Sequence, residues 1–266
     1  MKTCFSFAFA FATVVALNCA SSQAAFDVIS LPGTTQHDGW NGLTAANNPG
    51  YGGFPGAGPW PGPIGSNTTE SGDAGLMKTA NGTGGGPYPS GGSIYFGGFS
   101  ADVNNNGGSL AVTDSTPVAG LQHIVFQIEI GEAYGFDFFN DALPTLSYNF
   151  AGGGGASAVA AGLSELVDQV QNGTFFDPVT GQDEPVYVNS YKLQWDLSGV
   201  VGTISDFSID FTGVQHAQLY ALQLDQSDTI GSSPNPVPEP SSLAIMLGLA
   251  GSGYPVFRRA RRKVAC

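Results

Sequence analysis

The sequence predicts an all-β exported domain: an antiparallel β-sandwich of jelly-roll type with one short helix, between an N-terminal signal peptide and a single C-terminal transmembrane helix. Three observations carry that expectation. Short runs in which apolar and polar residues alternate recur from Ser93 to Leu224, which is the period of half-buried strands. With 39 Gly and 17 Pro in 266 residues, turn-formers punctuate those runs, and no strand–helix–strand rhythm appears. Each end of the chain also bears an uncharged apolar stretch beside positive charge.

At the start, Lys2 precedes the apolar run Phe5 to Leu17, and Ser22-Gln23-Ala24 places small residues for cleavage after Ala24. Residues 1–24 read as a secretory signal peptide. Cys19 lacks the small and Leu-like residues that lipid attachment needs before it. The exported domain then spans 25–226. Phe26 to Leu31 is the first expected strand, and His37-Asp38-Gly39-Trp40 follows. Asn47 to Gly65 and Gly82 to Gly92 hold too much Gly and Pro for regular structure and read as loops. Strands are expected at 93–99, 109–113, 121–130, 136–139 and 145–150. In the third of these, Ile124, Phe126, Ile128 and Ile130 alternate with Val125, Gln127 and Glu129. Gly152 to Gly155 reads as a turn. Val159, Leu163, Leu166, Val167 and Val170 recur at helical spacing, which predicts a helix over 156–170. Tyr191, Leu193, Trp195 and Leu197, then Phe207, Ile209 and Phe211, mark two further strands, and 216–224 closes the domain. Residues 227–240 form a polar, Pro-rich tether.

Behind the tether, Ser241 to Phe257 is 17 residues long without a charge, interrupted by Gly251, Ser252, Gly253 and Pro255. As a helix it reaches about 25 Å, the short end of a membrane span. Arg258, Arg259, Arg261, Arg262 and Lys263 stand directly behind it in the tail 258–266, and such a cluster keeps a tail cytoplasmic. Together, Val237-Pro238-Glu239-Pro240, the apolar run from Leu243 and this basic cluster resemble the PEP-CTERM sorting signal of Gram-negative bacteria, also catalogued as the ice-binding protein C-terminal domain. The match covers about a tenth of the chain. It implies export through the Sec translocon, an inner-membrane anchored precursor, and processing near Pro238-Glu239-Pro240 by an exosortase-type enzyme, ahead of residence at the cell surface or in the extracellular matrix. Gln194-Trp195-Asp196-Leu197 and the run His216 to Asp228 are also similar to closing strands of exported PEP-CTERM proteins, a resemblance that supplies no catalytic residue.

Between Ala25 and Pro236 stand two lysines, no arginine and twenty acidic residues, a formal charge of −18. Such a surface repels nucleic acid and anionic lipid. Cys4 and Cys19 leave with the signal and Cys266 ends the tail, so the body has no disulfide, thiolate metal site or cysteine nucleophile. Its stability rests on buried apolar surface.

Few residues point to chemistry. Asp102-Val103-Asn104-Asn105-Asn106-Gly107 fits the first half of a calcium loop, with Asp102, Asn104 and Asn106 as oxygen ligands and calcium as the one cofactor the sequence admits. The glutamate completing such a loop would fall at Thr113. His37, His123 and His216 lack ligand spacing, and no Gly-x-Ser-x-Gly elbow occurs. Glu129 with Glu132, or Asp206 with Asp210, are the carboxylate pairs nearest in sequence. On a strand, partners four apart sit roughly 13 Å from each other, beyond the roughly 5–9.5 Å of glycosidase pairs; carboxylates of different strands can still meet. Trp40, Tyr51 and Trp60 are candidate sugar-stacking rings. The expected function is that of a non-enzymatic surface or matrix protein. A carbohydrate-binding module built on the loop aromatics, with surface polysaccharide as partner, stands as the alternative, and a secreted hydrolase ranks below both.

Overall fold

Period-two alternation along the strands builds two antiparallel sheets that share one core. The computed structural model describes residues 26–68, 71–99, 103–177 and 180–231. Its strands are β1 (Thr35–Trp40), β2 (Ile64–Gly65), β3 (Gly75–Asn81), β4 (Pro87–Pro89), β5 (Ile94–Phe96), β6 (Asn106–Asp114), β7 (His123–Gly131), β8 (Thr145–Phe150), β9 (Gly155–Ala160), β10 (Leu163–Asp177), β11 (Gln182–Asp196), β12 (Ile204–Val214) and β13 (Gln218–Ser227). Seven form one sheet in the order β10-β11-β7-β13-β5-β4, with β1 also paired to β13; six form the other, β2-β3-β6-β12-β8-β9. The arrangement is consistent with a β-sandwich.

Ile124, Phe126, Ile128 and Ile130 of β7, Trp195 of β11 and Leu222 and Leu224 of β13 are buried against Leu110 and Val112 of β6 and Phe207, Ile209 and Phe211 of β12. Phe126 meets Phe211 with ring centroids 6.2 Å apart. Burying each such side chain stabilises the fold by about 1.5–3 kcal/mol before conformational entropy is counted. The remaining face of the seven-stranded sheet is polar, through Gln127, Glu129, Lys192, Gln194, Gln223 and Asp225 on alternate positions.

Five expected elements differ, and two of them are the loops 47–65 and 82–92, which contain the short strands β2 and β4, held by pairing with β3 and β5. Phe26 to Leu31 is not a strand. It runs as a strap to the polar outer face, where Ile29 N donates to Asp225 Oδ2 (3.3 Å) and Gln127 Nε2 donates to the Asp27 carbonyl (3.2 Å). The first strand is instead β1, whose His37 lies opposite Asp225. Its His-Asp-Gly composition is poor strand material, and pairing with β13 overrides that propensity. Residues 136–139 are not a strand either: Phe138 makes an isolated bridge to Gly213, and Phe139–Asp141 is a 3₁₀ turn.

The expected helix over 156–170 is also absent, and the described residues contain no α-helix. β9 belongs to the six-stranded sheet; the chain passes through Ala161 and Gly162 and continues as β10 in the other. Gly162 N donates to the Gln194 carbonyl (2.9 Å) at this corner. Leu163, Leu166 and Val170 point largely to solvent along the edge strand, while Val167 is skipped in the register between Leu166 and Asp168. A sheet corner followed by a bulge shifts the alternation, and the result mimics helical spacing. Gly152 to Gly154 forms the expected turn, between β8 and β9, with Gly153 and Gly154 at φ 87° and 84°.

Among the described residues no helix is long and apolar enough to cross a membrane. The signal peptide, the apolar stretch 241–257 and the basic tail lie outside the described residues, as do Val237 to Pro240. Asp228 still bonds the body, accepting from Thr34 N through Oδ1 (2.9 Å).

Candidate functional site

The site begins with a tryptophan that is not part of it. Trp40 ends β1 at 1% exposure, and its indole N–H donates to the Ile64 carbonyl (2.9 Å). That bond ties β1 to β2 and sets the segments that follow each strand side by side. Asn67 then clamps Asn41: its Oδ1 accepts from Asn41 N (2.9 Å) and its Nδ2 donates to the Asn41 carbonyl (2.8 Å). Asn47 Nδ2 donates to the Gly42 carbonyl (2.7 Å), Asn48 Nδ2 to the Thr44 carbonyl (3.1 Å), and the Tyr51 hydroxyl to the Pro63 carbonyl (3.0 Å).

Between these segments lies an open cleft of about 620 Å³, lined by Asn41, Asn47, Asn48, Asn67, Ser66 and Tyr51 with Ile64 at its floor. Among the described residues, no carboxylate or ammonium group lines it. The backbone of Asn41 is held at both ends by Asn67, which leaves its side-chain amide uncommitted. Asn47 and Asn48 spend N–H donors on the backbone and keep their carbonyl oxygens. Amides and hydroxyls that both donate and accept match the hydroxyls of a neutral polyol.

The aromatic residues expected to form a stacking platform do not form one together. Trp40 is a correction: it is core, and neither face is open to a ligand. Tyr51 and Trp60 stand edge to face, with centroids 5.3 Å apart and planes at 83°. Trp60 donates its indole N–H to the Pro87 carbonyl (3.1 Å) and packs against the core. Only Tyr51 borders the cleft.

Of the expected calcium ligands, Asp102 lies outside the described residues. Asn104 Oδ1 accepts from Asn140 N (3.0 Å), and Asn106 Oδ1 accepts from Gly108 N (2.8 Å). These two oxygens thus serve different backbone amides, as turn residues do. Among the described residues, no three His, Cys, Asp or Glu side chains gather as a metal-binding group. The histidines are dispersed. His37 Nδ1 bonds Asp225 (2.8 Å) rather than its sequence neighbour Asp38, His216 bonds the Tyr95 hydroxyl, and His123 is buried, which pushes its pKa down.

The carboxylates are mostly engaged. Glu132 accepts from Tyr187 N (3.0 Å) and Asn189 Nδ2 (2.9 Å), Asp206 accepts from Asn149 Nδ2 (2.6 Å), and Asp210 accepts from the Ser208 hydroxyl (2.9 Å). Glu129 differs: burial, and then the charge of Asp168, push it up to about 7. It stands across Ser190 from Asp168 on the outer face.

The cleft asparagines are the residues sequence reasoning missed. Four Asn between 41 and 67 read as loop-formers, and their convergence depends on Trp40 reaching Ile64. No family model matches the chain, and no curated protein or solved structure matches it.

Proposed function

We propose that this chain is the precursor of an exported, non-enzymatic surface or matrix protein whose β domain holds neutral polysaccharide in the cleft beside Tyr51. The observation that carries the reading is the chemistry of that cleft: convergent amides and one aromatic ring, with no charged group among the described residues that line it. The rest of the body agrees with it. A formal charge of −18 disfavours anionic polymers, and a body free of cysteine survives outside the cell without redox maintenance. The PEP-CTERM-like end supplies delivery: insertion, cutting near Pro238-Glu239-Pro240 by an exosortase-type enzyme, and release to the surface.

The fold suits the role. β5, β13, β7 and β11 adjoin in one sheet and β6, β12, β8 and β9 in the other. The chain crosses between sheets at six of the eight steps from β5 to β13, which supports a jelly-roll-like winding with loops at the sheet ends, where ligands are met.

Affinity electrophoresis of the full chain in mild detergent, through gels containing hydroxyethyl cellulose, xylan or dextran, tests the reading. The protein is expected to be retarded in at least one gel, with Asn41→Ala and Tyr51→Ala each weakening retention about tenfold, the cost of a central binding residue. Equal mobility with and without every polymer would sink the saccharide reading.

A further inference from the structure

Two aromatic residues on another part of the surface have positive φ, and one of them is a tyrosine, which avoids that conformation. Among the described residues, six non-glycine positions have positive φ; four are Asn, Asp or Ala, and the other two are Tyr134 (55°) and His216 (75°). Tyr134 and Gly135 (81°) are the central pair of a two-residue hairpin closed by Ala133 N to the Phe136 carbonyl (2.7 Å) and Phe136 N to the Ala133 carbonyl (3.1 Å). A turn with positive φ at both positions favours Asn-Gly, so tyrosine stands here against local preference. Strain of this kind gathers at ligand-contacting positions.

These two strained rings meet each other. Tyr134 lies edge to face with His216 at 6.1 Å and with Phe175 of β10 at 5.5 Å, while Tyr95 stacks on His216 at 5.8 Å and bonds it through its hydroxyl. Tyr134 remains 36% exposed. Gln218, opposite Tyr95 in the register, accepts from the Tyr220 hydroxyl (3.2 Å). Among the described residues both lysines are engaged, Lys78 donating to the Gly58 carbonyl (2.8 Å) and Lys192 pairing with Glu165 (3.1 Å), which leaves neither to draw an anion.

We propose that Tyr134, supported by His216 and Phe175, is a second saccharide contact, a shelf on which a neutral sugar ring stacks. It shares no residue with the amide cleft, so one domain grips a polysaccharide at two places, and the ligand class rests on the reading of the cleft. An aromatic face supplies the apolar side of such a ligand, and polar groups of the neighbouring sheet face supply the polar side.

The test separates the two sites. Both Tyr134→Asn and His216→Asn delete a ring and place a residue that tolerates positive φ. The turn gain at 134 offsets the lost ring contacts, so the melting temperature of Tyr134→Asn is expected to change little, whereas His216→Asn also loses the Tyr95 hydrogen bond and is expected to melt somewhat lower. Retention of the full chain by hydroxyethyl cellulose, xylan or dextran in affinity gels is expected to weaken about tenfold in each. Wild-type retention of both variants beside loss in Tyr51→Ala would overturn the shelf and leave the cleft standing. Loss in both beside an unchanged Tyr51→Ala would uphold the shelf and overturn the cleft. Lower melting temperatures with unchanged retention would make the rings a structural pin for the β10–β11 hairpin. A changed sedimentation coefficient with unchanged retention would assign them to self-association. Either result overturns the shelf.

Discussion

Trp195→Ala is expected to lower the stability of the β domain by about 3–5 kcal/mol, the range for deleting a large buried aromatic. Trp195 is 1% exposed, and its indole N–H donates to the Val159 carbonyl (3.0 Å). It therefore fills the space between the sheets where β9 passes into β10 and also fastens that corner. The substitution leaves a cavity and an unmatched carbonyl at once. For a domain of this size the melting temperature should fall by roughly 2–4 °C per kcal/mol, so calorimetry should show a drop of about 6–20 °C. Trp195→Phe keeps most of the volume and loses the hydrogen bond, and should fall between the two. A drop under about 3 °C for Trp195→Ala would mean the corner is not closed as described.

Asp225→Ala should have the next largest effect, about 2–4 kcal/mol, because it leaves several donors unmatched in a buried place. Asp225 is fully buried and accepts from His37 Nδ1 (2.8 Å), Gln223 Nε2 (3.0 Å) and Ile29 N (3.3 Å). Burial pushes its carboxyl up, and the hydrogen bonds from His37, Gln223 and Ile29 pull it back. The same carboxylate joins the strap 26–31, β1 and β13. Hydrogen exchange of the strap amides should accelerate in Asp225→Ala while the amides of β12 stay protected, and Asp225→Asn should recover most of the loss. Unchanged exchange at Ile29 would show that the strap is held by other means.

Where the alternation of apolar residues was regular, the strands were legible. Thr145–Phe150 is the strand expected over 145–150; β6 and β12 extend their expected runs at both ends, while β7 and β13 each begin two residues later than expected and end one and three residues later. Reading failed where a residue's neighbour in space comes from far along the chain. β1 and β3 contain His, Asp, Gly, Lys and Asn, and become strands because β13 and β6 offer partners. The helix over 156–170 failed because a corner and a bulge together reproduce helical spacing. The cleft was hidden for a related reason. Asn41 and Asn67 are 26 positions apart and are joined only after Trp40 has reached Ile64. Tyr134 did carry a local sign, a bulky residue before Gly135 in a tight hairpin, which alternation patterns do not register.

The proposed function requires a precursor whose ends direct it and whose body acts outside the cell. Intact-mass measurement of the polypeptide recovered from the cell surface and medium tests this most directly. The expected species begins at Ala25 and ends near Pro238. A chain found only in the cytoplasm with the mass of all 266 residues would contradict it.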